Sequence, residues 1–136
     1  MNENSIIPMM PTPVVISIGK TRLCAELFDT PCAKLIIAAL PIENRPNEWG
    51  DEFYFAIPVK AALDDTATIK VKVGDIGYWP PGKALAIFFG PTPMSTGSDP
   101  VPASEVNIIG RVIDDAASLK KEKGALNIRI EKENPK

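Results

Sequence analysis

Apolar and polar residues alternate in short runs along this chain, and 14 prolines and 9 glycines cut those runs apart. In "ATIKVKV" (67–73) the alternation is strict: Ala67, Ile69, Val71 and Val73 share one side, and Thr68, Lys70 and Lys72 the other. Successive side chains of a strand leave opposite faces, so a period of two predicts a half-buried strand. "TRLCAEL" (21–27) alternates in the same way and follows "VVISI" (14–18) across Gly19-Lys20, a two-residue linker of hairpin type. Further strands are predicted over "IENRPNEW", "DEFYFAI", "ALAIFF" (84–89), "VNIIGRVI" (106–113) and "ALNIRIE" (125–131). Pro46 suits an edge or a bulge, and Gly110 marks a second bulge. "ALAIFF" is apolar at every position, as a strand buried on both faces is.

Helical signals are few. In "DTPCAKLIIAAL" Thr30 is a natural N-cap, Pro31 fits the first helical position and Pro41 follows the end. Leu35, Ile36, Ala39 and Leu40 form its expected buried stripe. A short helix is predicted over "DDAASLKK", capped by Asp114 or Asp115 and ended at Gly124. About eight strands, with one or two short helices, predict one mainly β domain over residues 14–131. The segments 1–13 and 132–136 are expected to be tails. Strands at this spacing favour an antiparallel barrel or sandwich over a parallel α/β sheet.

Composition removes several functions. The net charge of −2 offers no general attraction to nucleic acid or anionic membranes, and Lys120, Lys121 and Lys123 are interrupted by Glu122. The chain holds no histidine, which excludes Ser-His-Asp and Cys-His nucleophile systems and imidazole-based zinc sites. Cys24 and Cys32 are too few for a disulfide scaffold. No apolar run approaches the roughly 20 residues that span a bilayer, and no targeting segment is evident. A soluble, cytoplasmic protein without cofactor or metal is the expectation.

The remaining candidates gather around "GDIGYWPPGKALAIFFG" (74–90), where a glycine- and proline-stiffened turn precedes the apolar strand. Tyr78, Trp79 and Lys83 suit the rim of a cleft, since rigid amphipathic rings bind ligands at low entropy cost. In "NEWGDEF", Trp49 is a second aromatic contact. Glu48, Asp51 and Glu52 can offer a carboxylate to a cation or a substrate amine, or act as acid or base if their pKa is raised. The connection 91–104 is long for a compact domain and suits a binding loop, with Met94 and Ser95 placed to fold over the cleft. Cys32 lies near a helix N-terminus but has no histidine partner, and reads as a buried, inert thiol.

The segments "NEWGDEFYFAIPV", "VGDIGYWPPGKALAIFFGPTPMS" and "PASEVNIIGRV", in that order, resemble the small prokaryotic cyclophilin-like family, a domain of unknown function with an atypical cyclophilin fold. The resemblance implies a closed β-barrel of about eight strands with a helix over one end. True cyclophilins are peptidyl-prolyl isomerases that use an arginine, a glutamine and a histidine on the outer barrel face. Here Phe88-Phe89 is similar to the cyclophilin Phe-Phe pair and Arg45 stands on the corresponding strand, but the chain has neither Gln nor His. Alternation puts Leu85, Ile87 and Phe89 on one side and Ala84, Ala86 and Phe88 on the other.

These observations favour a binding module without a complete isomerase site. It would hold a peptide or small ligand in an aromatic cleft built from Arg45, Trp49, Asp51, Tyr78, Trp79, Lys83, Phe89 and Met94. The alternatives are a peptidyl-prolyl isomerase using Arg45 and Phe89, and, by fold analogy, an accessory subunit of an amide- or lactam-hydrolysing complex. A homo-oligomer or a partner subunit is compatible with either.

Overall fold

The computed structural model describes residues 10–133. The N-terminal tail expected over 1–13 falls mostly outside them, and so do the last three residues of the C-terminal tail. Thr12 and Pro13 already belong to the first strand.

Among the described residues nine strands form one antiparallel sheet: β1 (Thr12–Ile18), β2 (Thr21–Leu27), β3 (Ile42–Asn44), β4 (Asn47–Glu48), β5 (Glu52–Ala56), β6 (Asp75–Trp79), β7 (Ala84–Phe88), β8 (Asn107–Val112) and β9 (Ile128–Lys132). The spatial order is β3-β9-β1-β2-β8-β6-β7-β5-β4. The sheet curls strongly into a half-barrel and does not close, which corrects the expected closed barrel. Its two edges, β3 and β4, are three and two residues long and are joined by the chain at Arg45-Pro46 with no ladder between them. Pro46 has no N–H to give a ladder. One side-chain bond crosses the seam, from Asn44 Nδ2 to the Ala56 carbonyl at 2.8 Å.

The concave face holds the main core. Val14, Ile16 and Ile18 of β1, Leu23, Ala25 and Leu27 of β2, Phe53 and Phe55 of β5, and Leu85 and Ile87 of β7 are all buried in it. The strand alternation read from β2 and β7 is therefore the alternation observed. Helix α1 (Pro31–Ala39) leaves the Leu27 end of β2, and Thr30 Oγ1 accepts from Ala33 N at 3.2 Å as its N-cap. It buries Cys32, Ala33 and Ile36. Leu35, expected in the buried stripe, is half exposed.

Residues Ala116–Glu122 close the other end of β2 as the expected short helix, 3₁₀ in geometry. Glu122 ties it to the β1–β2 hairpin by accepting from Thr21 Oγ1 at 2.6 Å. No helix among the described residues is long and apolar enough to cross a membrane.

Two strand predictions need further correction. Residues 67–73 are not a strand: a single pair of hydrogen bonds joins Thr68 to Val106, at 3.0 and 3.1 Å. Side chains satisfy the neighbouring amides, with Thr68 Oγ1 accepting from Lys70 N and Asp75 Oδ2 from Lys72 N, both at 2.9 Å. Such local bonds compete with a ladder. Val71 is buried, while Ile69 and Val73 are about half exposed. The last strand begins at Ile128, leaving Leu126 exposed.

The connection between β5 and β6 is held from below by buried polar groups. Asn107 is fully buried; its Oδ1 accepts from Asp64 N at 2.8 Å and its Nδ2 donates to the Ala62 carbonyl at 2.9 Å. Tyr78 hydroxyl donates to the Val59 carbonyl at 2.6 Å and accepts from Ala61 N at 3.2 Å. Removing one partner leaves the other polar groups buried and unsatisfied, at about 1–3 kcal/mol. Asn107→Ala is therefore expected to lower the unfolding free energy by about 2–3 kcal/mol in urea titrations. A midpoint equal to that of the wild type would contradict the anchoring role.

Candidate aromatic pocket on the outer face

The convex face of the sheet is also covered. Register puts Glu52 beside Phe88, Tyr54 beside Ala86 and Ala56 beside Ala84. On the other side of β7, Gly77 faces Ala86 and Trp79 faces Ala84. Cross-strand partners share a face, so Glu52, Tyr54, Trp79, Ala86 and Phe88 all project outward. Val71 and Val106 from the two long connections pack on them, with Tyr54, Trp79 and Ile108 at the border.

Between Tyr54 and Trp79 the central row carries only Ala86 and Gly77, so the surface is depressed there. Gly77 is required by close approach, since a Cβ at this position would lie 2.8 Å from Val106 Cγ2. A cavity of about 130 Å³ results, lined by Trp49, Glu52, Tyr54, Trp79, Pro102, Ala103 and Val106.

Each wall is held in place. Trp79 Nε1 donates to Ser104 Oγ at 2.7 Å, and the six-membered ring of the indole lies so near Gly82 that a Cβ there would stand 2.9 Å from it. Trp49 sits in a turn closed by its N–H donating to the Glu52 carbonyl at 3.0 Å. Gly50 makes that turn with φ of 62° and approaches the Thr92 backbone too closely for any side chain. Asp51 N donates to the Pro91 carbonyl at 2.9 Å, which joins the turn to the 91–104 connection. That connection is tied to itself, with Ser95 Oγ accepting from Thr92 N and donating to the Asp99 carbonyl.

Glu52 is the one acidic side chain of the lining. It is 7% exposed, and its Oε1 is buried with no hydrogen-bond partner. Burial pushes its carboxyl from an ordinary 4.5 up to about 8. No cation offsets this burial: Lys123 and Lys120 reach Asp51 instead, at 2.6 and 3.8 Å. At neutral pH Glu52 is thus mostly the protonated acid. It can donate a hydrogen bond in that form, or accept one after losing its proton near pH 8.

The residues singled out from sequence divide. Trp49 and Trp79 line the pocket. Tyr78 is fully buried on the opposite, concave side, and burial raises its phenol pKa. Phe89 is also in the concave core, its ring 4.7 Å from that of Phe53, while Phe88 lies beneath the outer face. Asp51 is engaged by the two lysines beside the turn. Arg45, Lys83 and Met94 are exposed and not part of the lining. Pro102 and Ala103, not Met94 and Ser95, bring the 91–104 connection to the pocket. Tyr54, Pro102, Ala103 and Val106 were not singled out. The alternation Glu52–Phe53–Tyr54 carries the signal for Tyr54, because it shares a face with Glu52. The cysteines stay outside: burial raises the Cys32 thiol pKa, and Asp114 raises that of exposed Cys24.

With this geometry in place, the relationships of the chain are plain. The cyclophilin-like family matches over residues 12–131, and the chain belongs to that family. A hypothetical protein from Archaeoglobus fulgidus, known from its solution structure, is 32% identical and superposes with a TM-score of 0.77. That match covers 94% of this chain and 99% of the archaeal one. McbB, solved in complex with tryptophan, shares the fold at 15% identity and a TM-score of 0.66, over 90% of this chain and 45% of its own. No curated protein matches.

The raised acid makes stability depend on pH. Below 4.5 Glu52 is protonated both folded and unfolded, and contributes no difference. From 4.5 to about 8 the unfolded chain gives up the proton and the folded one keeps it, so stability falls as pH rises, then levels off. A shift of this size corresponds to about 5 kcal/mol at about 1.4 kcal/mol per unit. Glu52→Gln is expected to match the wild type at pH 4 within about 1 kcal/mol and to exceed it by several kcal/mol at pH 9 in urea unfolding. A difference that does not change with pH would contradict the burial of Glu52 as an unpaired acid.

Proposed function

We propose that this protein is a binding module that holds a small ligand, or one side chain of a peptide, in the outer-face pocket between Trp49, Tyr54 and Trp79. The observation that carries this reading is the pocket itself: a preformed apolar depression with one buried carboxyl group whose Oε1 has no hydrogen-bond partner. Ligand sites combine apolar walls with a few convergent polar groups in this way. A displaced pKa within a cleft points in the same direction. The tryptophan complex of McbB supports a small ligand for a protein sharing this fold, as analogy of fold alone.

The isomerase reading gains no such support. It relies on Arg45, which stands exposed in the β3–β4 turn, and on Phe89, which belongs to the concave core. The accessory-subunit reading has only the fold behind it.

Both tryptophans of the chain line this pocket, so indole emission reports on it without interference. Titration with a library of small metabolites and short peptides, followed by tryptophan emission and amide chemical shifts, is the test. Shifts are expected at Glu52, Tyr54, Trp79 and Val106, and Trp79→Ala should weaken binding at least tenfold. A ligand whose shifts fall elsewhere, or a library with no binder, would contradict the proposal.

A further inference from the structure

Resting on that reading of the pocket, we infer that the group it takes is a compact organic cation, an alkylammonium headgroup seated among Trp49, Tyr54 and Trp79 with its N–H donating to the Glu52 carboxylate.

Size argues for a headgroup. The cavity of about 130 Å³ is well below the 300–1,000 Å³ of sites that enclose a whole drug-sized ligand. Its lining supplies one acid and no basic side chain. An anion there would meet no positive charge in the lining. An ammonium gives Glu52 the counter-charge that Lys120 and Lys123 give to Asp51 instead, and a charge-assisted bond is the stronger kind. Aromatic rings attract a desolvated cation through their quadrupoles, and three aromatic side chains border this cavity. A primary ammonium fits better than a quaternary one, which has no N–H for the carboxylate.

Protons balance simply. The ammonium keeps its own proton, and Glu52 releases one to solvent as the ion pair forms. Affinity should therefore rise about tenfold per pH unit below about 8 and level off above it. The surrounding groups do not mask this. Tyr54 is the only other titratable side chain of the lining, Asp51 is held by Lys120 and Lys123, and Glu105 beside Val106 is exposed.

The full chain is titrated with n-butylammonium chloride, with the neutral 1-pentanol, and with Nα-acetyl-lysine N-methylamide, each from pH 6 to 9. Tryptophan emission and amide shifts give the affinities. At pH 8.5 butylammonium should bind at least tenfold more tightly than pentanol, and the gap should shrink toward pH 6. Glu52→Gln should abolish the gap and its dependence on pH. Equal binding by acetyl-lysine methylamide would point to a peptide lysine as the source, and binding by butylammonium alone to a free amine; both support the inference. Pentanol binding as tightly as the cation, or cation affinity independent of pH, would overturn it while leaving the pocket a ligand site. Binding by none of the three would overturn it, and failure of the wider library as well would remove the binding-module reading.

Discussion

A strand that is apolar on both faces cannot be left with one of them in water, and β7 is such a strand. All five residues, Ala84 to Phe88, are buried. Leu85 and Ile87 are absorbed by the concave core, as the curl of the sheet requires. Ala86 and Phe88 point outward and need a separate cover. The two long connections, before β6 and after β7, supply it through Val71 and Val106. Polar groups of the first connection are satisfied by Asn107 and Tyr78, and its Thr66 Oγ1 accepts from Ile108 N of β8. Much of the chain outside the strands is thus explained by one strand in the middle of the sheet.

The pocket is where that cover is incomplete. Small residues at Ala86 and Gly77 leave the floor low, and the rings of Tyr54 and Trp79 stand up beside it. Glu52, at the start of β5, projects into the same dry space because it shares its face with Tyr54. Its neighbour Asp51 faces the other way and collects both nearby lysines. The two adjacent carboxyl groups therefore have opposite fates: one is paired at the surface, the other is buried and protonated. The second is a polar group without any structural partner, and buried polar atoms in that condition call for a functional explanation.

How much of this was legible in the sequence depends on range. The hairpin, α1 with its Thr30 cap, the doubly buried strand and the split of Phe88 from Phe89 all follow from local period and capping, and all are present. Residues 67–73 alternate as strictly as any strand, yet side-chain bonds from Thr68 and Asp75 replaced the ladder, which no periodicity reveals. Closure of the barrel failed at Pro46, a residue already marked as unfit for a central strand. Within the site, Trp49 and Trp79 were visible as aromatics in stiff turns. Pro102, Ala103 and Val106 were not, because their place depends on a connection folding back across the sheet. Tyr78 and Trp79 are neighbours in sequence, and alternation alone sends them to opposite faces.

The central claim is that Glu52 is a buried acid, protonated at neutral pH, within an aromatic pocket. Its side-chain carboxyl ¹³C resonance, identified by its loss in Glu52→Gln, can be followed from pH 3 to 10. The midpoint should fall at about 8. A Glu52 midpoint near 4.5 would mean that water or a cation reaches the carboxylate, and would contradict the account of this site.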